Sequence, residues 1–390
     1  MIDWLLFTCL ALAVYHYVGY PLAVMLWAHW APRPAGAQAG RFADKEPLDT
    51  YAWPSVTLLI AAYNEERVIE AKLRNALAMS YAGPLEIVVV SDGSTDHTPQ
   101  IVAGFSDRGV VSMHNPPRRG KTAALNRGVA AARGEILVFS DANNDFNPDA
   151  LNALVQHFAD PAVGGVCGVK RIRAAAERES SKGDGLYWRY ESAIKLAEGR
   201  IGSITNADGE IFAMRRSLYR AIPEHIINDD AQITFDLIEQ GQRILYEPQA
   251  QSVEYASIRI EDDFFVKVRM VAGGFQTLAQ HWRRLIPPRS WFAFAFLSHK
   301  GLRYLMPVVL MALLLLCLLR LDQPWGAGLL SAQALFYGAA GIGYALIRRG
   351  RIPGLTYVPF YFTAMNVAAF MGLLRFLNGR QNTLWRKAQR

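Results

Sequence analysis

Uncharged apolar runs alternate along the chain with one long stretch of mixed character, and this pattern sets the organisation. Trp4 to Trp30, Trp325 to Ile347 and Ile352 to Leu374 contain no Asp, Glu, Lys or Arg, and Tyr304 to Leu319 is uncharged and largely aliphatic. A helix crosses a bilayer with roughly 20 predominantly apolar residues. Three runs are long enough, and the run from Tyr304 becomes so when Arg303 and Arg320 snorkel to the two interfaces. All four read as membrane helices.

The stretch between them has the composition of a globular domain. Ser55 to Ala62 (SVTLLIAA), Leu85 to Val90 (LEIVVV) and Ile136 to Ser140 (ILVFS) read as buried strands, and Val110 to His114 as a further short strand. Helical spacing falls between them, over Glu65 to Met79, Thr98 to Phe105 and Thr122 to Ala132. Strands alternating with helices predict an α/β unit with a mostly parallel, Rossmann-like sheet covered on both faces. In such sheets ligands bind beyond the carboxyl ends of the strands. The second half is less regular: it contains NADGEIFAMRRSLY, INDDAQITFDLIEQG, ILYEP and KVRMVAGGFQ. The resulting division is a transmembrane helix over 1–30, a linker over 31–54, the α/β domain over 55–285, an interfacial helix over 286–301, about three transmembrane helices over 302–377 and a basic tail over 378–390.

Composition sharpens this picture. Hydrophobic residues make up 52 % of the chain and charged residues 19 %, which fits a chain partly in lipid. The net charge of +7 is explained by basic residues flanking apolar segments, among them Arg283, Arg284, Arg289, Arg348, Arg349 and Arg351. No groove signature or reader motif accompanies them, which excludes nucleic acid as a partner. The first run lacks a basic start and a small-residue cleavage site, so it is an anchor and not a signal peptide. Only Asp3 precedes it, whereas Arg33, Arg41 and Lys45 follow, so the positive-inside rule places the N-terminus outside and the domain in the cytoplasm. Four spans would then leave the basic tail outside, against the same rule. Either Ile352 to Leu374 is re-entrant or interfacial, or the rule is broken; the reading adopted places the C-terminus in the cytoplasm. Cys9, Cys167 and Cys317 fit neither a zinc site nor a disulfide framework.

Three acidic clusters end or follow strands: Asp92 in SDGSTDHT, Asp141 in DANNDFNPDAL, and Asp229 with Asp230 in INDDAQIT. One such cluster alone is more often a turn. Three at one end of a sheet point to a site for a cation and a polar ligand. GKT at Gly120 to Thr122 is no P-loop, because Asn115 stands where the first glycine is required.

AAYNEE, VVVSDGSTDHT, GKTAALNRG, FSDANNDFNPDAL, ADGEIFAMRR and NDDAQIT occur in an order that resembles glycosyltransferase family 2, over roughly residues 55 to 275. With its flanking spans the chain is similar to the membrane branch that contains hyaluronan, chitin and cellulose synthases and exopolysaccharide enzymes. The resemblance implies a GT-A fold and assigns Ala62, Tyr63, Asn64, Glu65, Asp92, Ser94, Lys121 and Asp141 to the nucleotide-sugar donor. It implies a divalent cation, Mg or Mn, at Asp141 and Asn143, the position of the family's DxD motif. Asn143 replaces the final acid there, and Asp145 is the alternative ligand. Asp230 matches the family's general base, Asp229 stands for the glutamate before it, and Asp208 and Glu210 in ADGE either line the acceptor side or form a plain turn. Both Asp229 and Asp230 could instead simply cap a helix beginning at Ala231. In KVRMVAGGFQ the family's QxxRW motif keeps Arg269 but has Val266 for the glutamine and Met270 for the tryptophan; Gln276 offers a polar contact. Met lacks the indole face that stacks on a sugar. The implied reaction is inverting transfer from a nucleotide-sugar, of which UDP is the family's usual case, to a growing polysaccharide at the cytoplasmic face of the cell membrane. The alternative is addition of one sugar to a lipid-linked acceptor. A nucleotide-binding transporter or sensor ranks third, because the spans hold almost no charge of the kind that marks transport paths.

Overall fold

The computed structural model describes residues 1–31, 52–173, 180–255, 260–351 and 354–379. The predicted linker and basic tail lie almost wholly outside the described residues.

The expected strand–helix alternation is present. β1 (Val56–Ala62), α2 (Ile69–Leu77), β2 (Leu85–Ser91), α3 (Thr98–Ala103), β3 (Val110–His114), α4 (Lys121–Ala131) and β4 (Ile136–Asp141) follow α1, the first apolar helix (Ile2–Trp30). The rest of the domain comprises β5 (Asn144–Phe146), α5 (Ala150–Val155), β6 (Val163–Arg173), α6 (Ser180–Ile201), β7 (Ile211–Arg215), α7 (Asp229–Glu239), β8 (Arg243–Tyr255) and α8 (Ile260–Leu285). All eight strands form one sheet in the order β3-β2-β1-β4-β7-β6-β8-β5. The β1–β2, β1–β4, β2–β3 and β6–β8 pairs are parallel, while β7 runs antiparallel to both neighbours. β1, β2 and β4 are buried on both faces, which is why they read as continuous apolar runs and not as alternating ones. One core packs β1 residues Leu58 and Ile60 against α2 and α5; the other packs Leu59, Val88 and Phe139 against α4, β7 and α7.

Four helices are long and apolar enough to cross a membrane: α1, α9 (Trp291–Leu318), α10 (Pro324–Arg348) and the segment Gly354–Leu377, whose α-helix is α11 (Tyr357–Leu377). The aromatic segment around Arg289 to His299, expected to lie apart in the interface, is the beginning of α9: the helix runs on through a π-turn at Leu297–Gly301. The C-terminal half of α11 lies alongside α8 in parallel. A Cβ on Gly372 would stand 2.9 Å from Val271, and Phe376 stacks on Phe275 at 5.9 Å. The end of α11 is therefore on the side of the helix bundle that faces the α/β domain.

Buried ion pairs join the domain to the first turns of α9. Glu191 on α6 meets Lys300, and Arg303 at 2.8 Å. Seven residues on, Glu198 accepts hydrogen bonds from the Tyr20 hydroxyl at 2.8 Å and from Thr205 Oγ1 at 3.0 Å, with His299 Nδ1 at 2.8 Å.

Candidate active site

Asp92 and Asp141 sit at a carboxyl end of the sheet because the buried strands β2 and β4 stop there, and Asp229 and Asp230 are brought in by the start of α7. After Ala62 the chain turns at Asn64, whose positive φ of 53° is tolerated because its own side-chain oxygen accepts from the Thr95 amide at 2.8 Å. The Asn64 amide donates to Ser94 Oγ at 3.0 Å, and that of Glu65 to Thr98 Oγ1 at 2.8 Å. Tyr63, Asn64, Glu65 and Ser94 thus form one cradle across the ends of β1 and β2. The Tyr63 ring carries the Arg118 guanidinium 3.6 Å from its centroid.

Asp92 lies deeper than its motif suggests. It is 1 % exposed. Its carboxylate accepts from the backbone amides of Arg119 at 3.1 Å and Gly120 at 2.6 Å and pairs with Arg127 at 3.0 Å. Gly93 has φ +65°, and a Cβ there would stand 2.6 Å from the Arg118 amide. Asp92 therefore pins the 118–120 segment against the cradle and sets where α4 begins.

Lys121 opens α4, at the end where the helix dipole disfavours a cation. Carboxylates hold it there. Its Nζ donates to Asp141 Oδ1 at 2.7 Å and lies 3.9 Å from Asp229 Oδ2. Burial lowers the ammonium's pKa, but Asp141 and Asp229 outweigh it and raise the pKa above the ordinary lysine range. A Cβ on Gly209 would touch Asp230 Cβ at 3.4 Å, Asp229 Oδ2 at 3.7 Å and Lys121 Nζ at 3.9 Å. The end of β4 and the starts of α4 and α7 therefore meet at one point.

Asp229 and Asp230 occupy the first turn of α7, whose N-cap is Asn228. The Asn228 side chain makes no cap bond; it donates to the Met270 carbonyl at 2.9 Å. Asp230 Oδ1 accepts from the Ala231 amide at 2.7 Å. Burial, then the neighbouring Asp229, pushes the Asp230 carboxyl up to about 7, against the pull of Lys121. Arg269 completes the group: burial lowers its pKa, and Asp229, Asp230 and Asp141 act on it in the opposite direction. Gln276 holds the same loop from α8, accepting from the Ile227 amide at 3.1 Å and donating to the His225 carbonyl at 3.0 Å. Met270 is exposed at 41 %. Gly273 permits this approach, since a Cβ there would lie 2.5 Å from Asn228 Oδ1.

The remaining expected residues are tied into polar networks beneath this point. Asp208 accepts from Lys195 Nζ at 2.7 Å. Glu210 is buried and pairs with Lys170, and it accepts from Ser252 at 3.0 Å. Asn143 Nδ2 donates to Glu254 at 2.9 Å, which leaves the amide oxygen as its ligating end. Asp145 pairs through its backbone with Val253 of β8 and acts on Lys72, which is buried and donates to Asn144 at 2.8 Å. Burial pulls the Lys72 ammonium down to about 7 against Asp145, Asp141 and Glu210. Sequence reasoning missed Lys72, Arg118, Arg127 and Lys195. The run PPRRGKT could have pointed to Arg118, but Lys72 and Lys195 lie in helices whose spacing carries no sign of a buried cation.

Among the described residues no group of three or more His, Cys, Asp or Glu side chains forms a metal cage. Hard divalent ions bind one or two carboxylates and take further oxygens from water and phosphate. Asp141, about a third exposed, supplies such an oxygen to the cleft.

The mixed, mostly parallel sheet with carboxylates gathered at one end, joined to apolar helices, has the GT-A fold. A mannosyltransferase from Pyrobaculum calidifontis, solved in complex with GDP-Man and Mn²⁺, shares that fold with a TM-score of 0.70 at 24 % identity, covering 97 % of this chain and all of that one. Residues 57–222 match the glycosyl transferase family 2 model. It is 28 % identical over 231 residues to poly-beta-1,6-N-acetyl-D-glucosamine synthase of Staphylococcus aureus (strain COL), covering 57 % of this chain and 55 % of that protein. The chain thus spans about half the length of the curated relatives it matches first. It is also 28 % identical over 316 residues to beta-monoglucosyldiacylglycerol synthase of Synechocystis sp. (strain ATCC 27184 / PCC 6803 / Kazusa), covering 77 % of this chain and 64 % of that one.

Proposed function

We propose that the chain is an inverting, cation-dependent glycosyltransferase that moves a sugar from a nucleotide-sugar onto a growing polysaccharide at the cytoplasmic membrane face. One observation carries the reading: Asp141, Asp229, Asp230, Lys121 and Arg269 converge beyond the strand ends, beside a helix that packs on the apolar bundle. Tyr63, Asn64, Glu65 and Ser94 cradle the nucleoside, and the start of α4 with Lys121 takes the diphosphate. A divalent cation held by Asp141, with Asn143 as second ligand and Asp145 balancing Lys72, would neutralise charge on the departing diphosphate. Asp230 takes the proton of the acceptor hydroxyl as its oxygen bonds to the anomeric carbon. The bond from that carbon to the diphosphate oxygen breaks on the opposite face, which inverts the configuration. Arg269 and Lys121 hold positive charge beside the leaving group.

The end of α11 beside α8 supports a cytoplasmic C-terminus together with a cytoplasmic domain. A second reading, transfer of one sugar to a lipid-linked acceptor, is favoured by Met270 and by the acceptor in the name of the Synechocystis relative. Membranes supplied with a panel of nucleotide-sugars, with and without Mg²⁺ or Mn²⁺, decide between them by mass analysis of the product. Long glycans support the first reading, a single added sugar the second, and no transfer from any donor overturns both.

Two further outcomes are expected. A base held near 7 must be ionised to work, so kcat/KM rises with pH through about 7 and falls on the acid side; a profile flat from pH 5 to 8 contradicts the role of Asp230. Lys121→Met removes the ammonium that faces the diphosphate, and weakens nucleoside diphosphate binding by about 10- to 100-fold in calorimetry.

A further inference from the structure

A cavity of about 460 Å³ opens between the end of α8 and the first turns of α9, away from the catalytic carboxylates. Leu278, Trp282, Leu285 and Ile286 form one wall and Phe294, Leu297 and Leu302 the other, and Ser298 adds a hydroxyl to the lining. Its size falls in the roughly 300–1,000 Å³ range of small-ligand pockets, but it lacks the convergent polar groups that fix a soluble ligand. Trp282, Ile286 and Phe294 are exposed at 53, 57 and 42 %. Exposed apolar walls at the start of a candidate span face lipid. Trp27 of α1 packs edge-on against Trp291 at 4.9 Å, and Trp30 is 79 % exposed nearby, a grouping of indoles of the kind found at membrane–water interfaces.

The rim is basic. The Arg283 guanidinium lies 5.5 Å from the ring centre of Trp282, and Arg289 follows the lining residue Pro288. Both are exposed, and among the described residues no carboxylate pairs with either, whereas neighbouring Arg284 is taken by Glu239. We infer that this groove binds one hydrocarbon chain of an anionic bilayer phospholipid, whose phosphate is held by Arg283 and Arg289. The occupant is a bystander lipid and not the sugar acceptor: Arg283 lies 14 residues along α8 from Arg269, about 21 Å at 1.5 Å per residue. The inference is independent of which sugar the domain transfers.

The test is lipid retention by the full chain. Protein reconstituted in phosphatidylcholine–phosphatidylglycerol nanodiscs is transferred to detergent, washed, and analysed by native mass spectrometry. The native chain retains one phosphatidylglycerol in preference to phosphatidylcholine. The Arg283→Gln/Arg289→Gln variant, altered only at exposed positions, loses that preference by roughly 30-fold, as expected for two surface arginines. Leu278→Trp, which fills the groove, loses the bound lipid altogether while both arginines remain. Equal retention of the two lipids by the native chain, unchanged retention in the double variant, or a lipid-free dimer joined through this face overturns the proposal.

Discussion

Asp230→Asn lowers kcat by about 100- to 10,000-fold, the range a positioned general base contributes, and leaves the KM for the nucleotide-sugar nearly unchanged. The amide fills the same space and its carbonyl still accepts from Ala231, so the first turn of α7 keeps its geometry. What is lost is an acceptor for the hydroxyl proton, needed only as the new bond forms. The same change removes a charge from a buried carboxylate beside Asp229, so thermal stability is maintained or rises. Inactivity at undiminished stability separates loss of the base from loss of the fold. Asp229→Asn behaves differently, because Asp229 faces Lys121 and Arg269 and acts on the charge around the diphosphate; its main effect falls on donor binding. Should Asp230→Asn turn over at the native rate, the base is another group and the proposed mechanism fails.

The first half of the sheet was legible because β1, β2 and β4 are buried on both faces and bounded by turn residues, while β3 is a short, half-exposed edge strand. Val110 to His114 appears where the apolar run predicts it, and Lys121–Ala131 lies one residue from the predicted helix. β6 and β7 were not read as strands, because Gly164, Gly165 and Gly168 interrupt one and the antiparallel β7 is embedded in a motif of mixed polarity. The glycines have a packing reason that no periodicity reveals: a Cβ on Gly165 would stand 2.7 Å from the Phe212 ring. The candidate site was legible as residue types in order, but not as partners. Sequence spacing cannot show that Asp92 spends its carboxylate on the backbone of residues 119 and 120, or that Gln276 bonds the loop ahead of Asp229. The scarcity of charge in the spans was also an incomplete guide. His299, Lys300 and Arg303 lie at the start of α9, where the helix is still packed on the domain and its charges are matched from α6.

That matching makes Glu191 a position where one neutral substitution is costly. Its carboxylate is 2 % exposed and faces Lys300, Arg303 and His299. Burial pushes its pKa up, yet Arg303 and Lys300 hold it well below the usual carboxylate range, so the group is a buried anion between two cations. Removing one partner of a buried pair costs about 3–5 kcal/mol, chiefly because the other charge stays desolvated and unmatched. In Glu191→Gln, Lys300 and Arg303 would both be left facing a neutral amide, and Glu198 already shares its carboxylate with Tyr20, Thr205 and His299. The substitution therefore loosens α6 from α9, seen as a lower melting temperature in detergent and faster hydrogen exchange along α6. Adding Lys300→Met to Glu191→Gln removes one unmatched cation and restores part of the loss, a coupling that a purely steric effect at Glu191 does not give. A single variant as stable as the native chain would mean that water or lipid headgroups already solvate the cluster. The carboxylate would then not be what fastens the α/β domain to its apolar helices.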